Sequence, residues 1–449
     1  MGRLFGTDGV RAKANCYPLT GDNAFKIAQI GTKHLLLNHK KQNRPIFIGK
    51  DTRRSGDMLE YAVAAGVASM GADVKLLGVV PTPAVAYITR ERQGLGGIVI
   101  SASHNPFYDN GIKIFSADGY KIPDLIEDAI EADLTSNAKQ DIPTNEKIGL
   151  IGRDETPVKC WLEHLKKLLK DTTSKKRMKI ALDCSNGALS PWATKFFSDL
   201  GFSVDSIGIT PDGININKDC GSTHPSTLIE MMKREHFDAG FAFDGDADRV
   251  IAVTSNGEIV DGDFILAIVA RYLKTRDKLA GNSMVTTVMS NLGLDIAMKH
   301  LDIKIHKTRV GDRFVLEEMQ KTRTIIGGEQ SGHIIFSDYS TTGDGLLTAC
   351  FLLKIMRETG SSLKELSEVM SKLPQVLVNI PVKTKIFEGI TPIQDEIKLA
   401  EDRLNGRGRV LVRPSGTENL VRVMAEGPDE KEIKFLVTGI AKVISSHLC

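Results

Sequence analysis

The densest chemistry in the chain is Asp244-Gly-Asp-Ala-Asp-Arg249, which leaves the apolar run Gly240-Phe-Ala-Phe243 and enters apolar Val250–Val253. Three carboxylates at alternate positions off a strand end suit a hard divalent cation, Mg²⁺ above all. A plain acidic turn would leave these like charges crowded together, and a cation offsets them. Gly245 is expected to give the loop an unusual backbone. An EF-hand is excluded, because Arg249 occupies its glycine slot and Ser255 its bidentate glutamate slot.

A second constellation is Gly97-Ile-Val-Ile-Ser101-Ala-Ser103-His104-Asn105-Pro106, followed by Asp109-Asn-Gly-Ile-Lys113. An apolar strand delivers two hydroxyls and an imidazole into a loop broken by Pro106. Either serine is a candidate nucleophile, and His104 or Lys113 a candidate proton carrier. No Gly-x-Ser-x-Gly elbow occurs, which disfavours a serine hydrolase. Gly94-x-Gly96 is no dinucleotide fingerprint, since Val99 stands where the third glycine belongs.

Near the end, Arg413-Pro-Ser-Gly-Thr-Glu-Asn-Leu-Val-Arg422 joins two strand-like runs. Two arginines, two hydroxyls and a glycine-opened turn match the needs of a phosphate dianion. Gly327-Gly-Glu329-Gln-Ser331-Gly-His333 offers a carboxylate and a hydroxyl to a sugar, although alone it reads as a hairpin loop. Asp8, Arg11 and the segment Thr308 to Arg313 are polar without a motif of their own.

These segments need rigid elements to hold them. One pattern recurs three times: strand, Asp/Ser/Gly-rich turn, helix, strand. It runs through Pro45–Gly49, Asp51–Gly56, Asp57–Met70 and Asp73–Leu77, and again through Lys179–Leu182, Asp183–Gly187, Leu189–Leu200 and Ser203–Ile207. A looser copy spans Met284–Met289, Ser290–Gly293, Leu294–His300 and Ile303–Ile305. Alternating strands and helices imply α/β domains with largely parallel sheets. The tail lacks the repeat and shows strand-like Val376–Val382, Arg409–Val412 and Leu420–Val423 before a helix over Lys431–Ser446, an α+β pattern. With polar linkers at Thr135–Lys147 and Thr172–Arg177, the expected division is 1–154, 155–256, 257–372 and 373–449. Each part holds about one constellation, so nucleophile, metal, sugar contacts and phosphate grip would meet in a cleft.

Composition bounds the partners. The 449 residues suggest about three domains by length alone. A formal charge of +2 gives no global field to draw nucleic acid or a membrane surface. The longest apolar stretch, around Phe264 to Leu273, contains Arg271 and is too short to span a bilayer. Six cysteines without a Cys-x-x-Cys pair, and an opening Met1-Gly-Arg-Leu-Phe-Gly6 without an apolar signal core, read as reduced thiols in the cytoplasm. A homodimer is compatible with the sequence, which does not fix the oligomeric state.

Taken in order, Ser101-Ala-Ser-His-Asn-Pro106, Asp244-Gly-Asp-Ala-Asp-Arg249, Gly328-Glu-Gln-Ser-Gly-His333 and Arg413-Pro-Ser-Gly-Thr-Glu418 resemble the α-D-phosphohexomutases over the whole chain. Phe5-Gly-Thr-Asp-Gly-Val-Arg11 and Val310-Gly-Asp-Arg313 are similar to the bacterial amino-sugar branch of that family. Ala12 and Asn419 depart from the family pattern, where Gly and Pro are usual. The resemblance implies three similar α/β domains with mixed sheets and a C-terminal α+β domain resembling the TATA-binding-protein fold. It implies Ser103 as a phosphoserine, with Ser103, Asp244, Asp246 and Asp248 holding one Mg²⁺. Arg11, His104 and Lys113 would serve catalysis, the proton carrier remaining either His104 or Lys113. Arg249, Thr308, Glu329 and Ser331 would meet the substrate, and Arg413, Ser415, Gly416, Thr417 and Arg422 its second phosphate. The implied reaction interconverts glucosamine 6-phosphate and glucosamine 1-phosphate through glucosamine 1,6-bisphosphate. Glucose or mannose phosphates as substrates, an aspartyl-nucleophile phosphatase using Asp244, and a non-catalytic sugar-phosphate sensor are the competing readings.

Overall fold

The computed structural model describes residues 4–6, 8–37, 44–136, 141–170, 177–387, 389–415 and 419–448. Two compact units result, Met1–Val288 with Lys304–Glu368, and Met289–Ile303 with Val369–Cys449.

Within the first unit, three sheets share one four-strand plan. In the first, Val74–Val79, Ile46–Lys50 and Gly96–Ile100 are parallel neighbours, and Asp109–Ser116 joins antiparallel. In the second, Ser203–Ile207, Lys179–Asp183 and Ala239–Phe243 are parallel and Val250–Val253 is antiparallel. In the third, Lys304–Thr308, Ser283–Thr287 and Ile326–Gly328 are parallel and Ile334–Phe336 is antiparallel. Edge strands enlarge two of them: Val10–Lys13 and Ile151–Arg153 on the first, Ile259–Val260 on the second. The antiparallel pair at the end of each plan encloses one candidate loop, 101–108, 244–249 and 329–333 in turn. Sequence repetition therefore places the loops of Ser103, Asp244–Asp248 and Glu329 at equivalent positions of three sheets.

The strands leading into the first two loops, Gly96–Ile100 and Ala239–Phe243, are buried at every residue. Strands paired on both edges and covered on both faces read as unbroken apolar runs, which these do. Burying Phe241 and Phe243 contributes about 1.5–3 kcal/mol each, enough to fix where the acidic loop begins. The apolar stretch near Phe264 is the buried helix Gly262–Lys274, started by Asp261, whose side chain accepts from the N–H groups of Asp263 and Phe264. Among the described residues no helix is long and apolar enough to cross a membrane. Cys16, Cys160, Cys184, Cys220 and Cys350 are free thiols.

One expected helix is shorter than its pattern. Ala193–Asp199 replaces the span Leu189–Leu200. The residues before it are held as a turn, Ser190 donating both its N–H, at 3.0 Å, and its hydroxyl, at 2.6 Å, to Gly187 O.

The second unit carries a three-stranded antiparallel sheet in the order Gln375–Pro381, Leu420–Glu426, Arg409–Pro414. The helix Glu430–Leu448 packs on it, and Thr391–Leu404 is a further helix beyond those expected from the sequence. Val421, Val423, Ile393, Ile433, Val437 and Ile440 form its core.

Candidate active site

The two serines of the first loop have different surroundings. Ser101 Oγ donates to Asp51 Oδ2 at 2.6 Å and accepts from Ser103 N–H at 2.9 Å. Its hydroxyl is committed to Asp51 and to the loop backbone. Ser103 sits in the left-handed region, with φ 52°, which turns its side chain out of the strand direction. Ser103 Oγ donates to Asp244 Oδ2 at 2.5 Å and lies 3.3 Å from His104 Nδ1.

Asp244, Asp246 and Asp248 are all buried, and each offers an oxygen within 4.8 Å of the others. Arg249 N–H closes the loop by donating to Asp244 Oδ1 at 3.1 Å. Thr82, the first residue of the helix Thr82–Glu91, donates its hydroxyl to Asp246 Oδ2 at 2.6 Å and its N–H to Asp246 O at 3.0 Å. The expected unusual backbone falls on Ala247 (φ 55°), not on Gly245. Gly245 is required for a different reason: a Cβ there would lie 2.6 Å from Ser103 O. Closeness of the two loops, rather than a left-handed turn, excludes a side chain.

Charge in this cluster is heavily compensated. Lys113 Nζ lies 2.8 Å from Asp246 Oδ2, 3.0 Å from Asp8 Oδ2 and 3.4 Å from Asp248 Oδ2. Burial opposes its charge, but those carboxylates outweigh it and raise the Lys113 pKa. Asp244 goes well above the usual carboxylate range, through burial and then the charges of Asp248 and Asp246. Asp248 goes well below it despite burial, because Lys113 and His333 face it. Burial, then the charges of Arg249 and Arg11, push His104 down to about 4. Its Nδ1, 3.3 Å from Arg249 Nη1, is a hydrogen-bond acceptor there.

Asp246 Oδ1 and Asp248 Oδ1 are buried without a hydrogen-bond partner. Orphaned carboxylate oxygens beside a third carboxylate and a hydroxyl make an all-oxygen donor set, which fits Mg²⁺ rather than a softer ion.

Not every group at this centre carried a sequence motif. Lys121 pairs with both Asp8 and Asp312, and Arg11 with Asp8. His333 Nδ1 stands 3.7 Å from Asp248 Oδ1, its Nε2 3.7 Å from Asp312 Oδ2, and Nε2 accepts from Gly343 N–H at 3.0 Å. Only the end of a glycine-rich loop marked His333, and nothing marked Lys121 or Thr82. Glu329 accepts from Gly311 N–H at 3.0 Å, and its charge helps to raise the Arg249 pKa against burial. The other two sugar candidates are less engaged. Ser331 is exposed, and Thr308 donates its hydroxyl to Arg309 O at 2.9 Å.

In the second unit, Arg413 and Arg422 oppose each other on neighbouring strands, and Lys385 donates to Ser415 O at 3.0 Å. Burial and the charge of Arg422 lower the Arg413 pKa. Facing cations on a sheet are unfavourable unless an anion relieves them. Gly416 and Thr417 lie outside the described residues.

A sheet plan repeated three times, each copy closing on a functional loop, together with a serine hydroxyl on a buried carboxylate cluster, defines a phosphoryl-transfer enzyme built from repeated α/β units. Comparison with known proteins makes the class specific. Phosphoglucomutase/phosphomannomutase alpha/beta/alpha domains I, II and III match residues 2–141, 159–257 and 261–373, and the C-terminal domain of the same proteins matches 377–443. The chain belongs to the phosphoglucomutase/phosphomannomutase family, the α-D-phosphohexomutases. Within it, the chain is 49% identical over 453 residues to the phosphoglucosamine mutase of Brevibacillus brevis and 51% identical over 453 residues to that of Clostridium botulinum, covering 100% of every chain. The fold is also that of Aspergillus fumigatus N-acetylphosphoglucosamine mutase, solved with GlcNAc-6P and magnesium, at a TM-score of 0.71, 17% identity and coverage of 99% of this chain and 95% of that one.

Proposed function

We infer that this protein is a phosphoglucosamine mutase, interconverting glucosamine 6-phosphate and glucosamine 1-phosphate through an enzyme phosphorylated on Ser103. The observation that carries the reading is the placement of Ser103 Oγ, 2.5 Å from Asp244 Oδ2 at the rim of an oxygen-only carboxylate cluster. Full-length relatives about 50% identical support the amino sugar as substrate. The aspartyl-nucleophile and sensor readings are not favoured: Asp244 accepts from Ser103 Oγ, and the full-length relatives about 50% identical are phosphoglucosamine mutases.

In the proposed cycle, O1 of glucosamine 6-phosphate attacks phosphorus on Ser103 Oγ, the O1–P bond forms and the Oγ–P bond breaks. His104 Nδ1, 3.3 Å from Oγ, takes the O1 proton and returns it to Oγ, so Ser103 ends as a free hydroxyl. Lys113 is pinned by three carboxylates and serves as fixed positive charge. Arg249 and Arg11 add positive charge near the transferring group, which a phosphoryl transition state rewards. Asp244, Asp246 and Asp248 would hold Mg²⁺, which when bound polarises phosphoryl oxygens. The glucosamine 1,6-bisphosphate then turns round and Ser103 Oγ attacks its 6-phosphorus: the Oγ–P bond forms, the O6–P bond breaks, and His104 passes the Oγ proton to O6, releasing glucosamine 1-phosphate. Arg413, Ser415, Gly416, Thr417 and Arg422 would grip the phosphate not in transfer, and Glu329, with Ser331 and Thr308, the sugar. The reading includes a cytoplasmic setting, where sugar phosphates and Mg²⁺ occur together.

The test is a coupled assay on one preparation with glucosamine, glucose and mannose phosphates. The glucosamine substrate should have the highest kcat/KM. A higher value for glucose or mannose phosphate would reassign the protein within its family.

A further inference from the structure

The Asp-rich turns that follow the first strand of the first two repeats take no part in the proposed chemistry, yet both lead to the backbone of the nucleophile loop. In each, an aspartate accepts from the N–H two residues on: Asp51 from Arg53 at 3.0 Å, Asp183 from Ser185 at 2.9 Å. The turns also bond each other, Thr52 Oγ1 donating to Asn186 O at 2.5 Å. Asp51 fixes Arg53 further through its Nε at 2.8 Å, in a pair wholly removed from solvent. Ser185 O holds Asn217 by accepting its N–H at 2.9 Å.

From there two side chains reach the same carbonyls. Arg53 Nη2 donates to Ser103 O and to Asn105 O, both at 2.8 Å, and Nη1 to Pro106 O and Asp109 O. Asn217 Nδ2 donates to Ser103 O at 2.9 Å and Asn105 O at 3.0 Å. Arg53 and Asn217 are buried, and their side-chain hydrogen bonds go to Asp51 and to the carbonyls of this loop rather than to Asp244, Asp246 or Asp248. A left-handed serine costs about 1–3 kcal/mol and persists only where its surroundings over-determine it.

We propose that Arg53 and Asn217 are positioning residues that clamp the carbonyls of Ser103 and Asn105 and thereby aim Ser103 Oγ at the carboxylate cluster. The proposal rests on the reading of Ser103 as the phosphoryl carrier. Because Asn217 comes from the second repeat and Arg53 from the first, the nucleophile is aimed only when both repeats are correctly packed. Four carbonyls need the planar fork of an arginine, which a lysine ammonium cannot supply.

The test compares the full-length protein with Asn217→Asp, which presents a carboxylate to two carbonyl oxygens, and Asn217→Gly, which tolerates the Asn217 φ of 57° without any donor. Active sites are counted by Mg²⁺ stoichiometry, so that kcat is expressed per folded site. The expected result is a kcat loss approaching about a hundredfold for Asn217→Asp, of the order seen for ångström-scale misplacement. Asn217→Gly should lose less, KM for glucosamine 6-phosphate should stay within about twofold because only protein carbonyls are touched, and Arg53→Lys should not restore activity lost in Arg53→Ala. The phosphorus NMR signal of phosphoserine should move in Asn217→Asp. Wild-type kcat per site in both Asn217 variants, with phosphate mapped to Ser103, would overturn the clamp. Active wild-type protein without phosphate on Ser103 would overturn the nucleophile reading, and the clamp with it.

Discussion

Replacing Asp344 by Asn should remove a pH dependence of stability that originates behind the acidic loop. Asp344 caps the helix Gly345–Thr359, accepting from Leu347 N–H at 2.9 Å and from Trp161 Nε1–H at 3.2 Å. The first residue of that helix donates its N–H to Ala247 O at 3.0 Å, so the cap supports the acidic loop. Burial pushes the Asp344 carboxyl from 3.8 up to about 6, against the hydrogen bonds from Leu347, Trp161 and Leu346 that favour its charge. The folded chain therefore holds this proton more tightly than the unfolded chain does. Its contribution to stability is complete below pH 3.8 and disappears as pH rises through about 6. The gap between those values is worth about 3 kcal/mol, of which about 1.4 kcal/mol falls between pH 8 and pH 5. Asn keeps the shape and the cap acceptor but cannot titrate, although it weakens the bond from Trp161 at every pH. Urea unfolding followed by tryptophan fluorescence should therefore show Asp344→Asn gaining about 1.4 kcal/mol on the wild type between pH 5 and pH 8. If the stability of Asp344→Asn minus that of the wild type is the same at pH 5 and pH 8, or becomes more negative as pH rises, the reasoning is refuted.

Ser103→Ala should abolish turnover, whereas Ser101→Ala should leave the phosphate on Ser103; peptide mapping that finds it on Ser101 in active enzyme would reverse the assignment. Thr82→Val removes the hydroxyl that orients Asp246 and should weaken Mg²⁺ about 10–100-fold by calorimetry, with Thr82→Ser close to wild type. Unchanged affinity in the valine variant would make Thr82 a mere helix start. Glu329→Gln should change the ratio of glucosamine to glucose kcat/KM, while Arg413→Ala should depress both alike, since a phosphate contact is blind to the sugar ring. The opposite pattern would separate the two roles wrongly.

Local order carried what the sequence could disclose. Apolar runs before Ser101 and Asp244 locate buried strands, and a loop after such a strand can only project its polar residues at the sheet's end. Glu329 likewise sits in the hairpin between Ile326–Gly328 and Ile334–Phe336 that its flanking isoleucines announce. Only the resemblance distinguishes Ser103 from Ser101 in the sequence; in space Ser101 Oγ is engaged by Asp51 and by Ser103 N–H, which supports the proposed choice of Ser103. The rest is assembled across distance. Lys121 acquires meaning only from Asp8 and Asp312, and Thr82 only from Asp246, partners more than a hundred residues away in each chain direction that matters. Arg53 and Asn217 act on carbonyl groups, which no side-chain pattern records. Gly245 looks in sequence like a turn residue, yet its role is to let Ser103 O approach.

The most direct measurement follows the phosphoryl group itself. Protein radiolabelled at phosphoserine is mixed with unlabelled glucosamine 6-phosphate and Mg²⁺, and label is traced in Ser103 peptide, sugar phosphates and inorganic phosphate. The account predicts that label leaves Ser103 at a rate no slower than turnover and appears in glucosamine bisphosphate and monophosphates, with glucosamine 1-phosphate formed. Label that stays on the protein during turnover, or leaves only as inorganic phosphate, would contradict it.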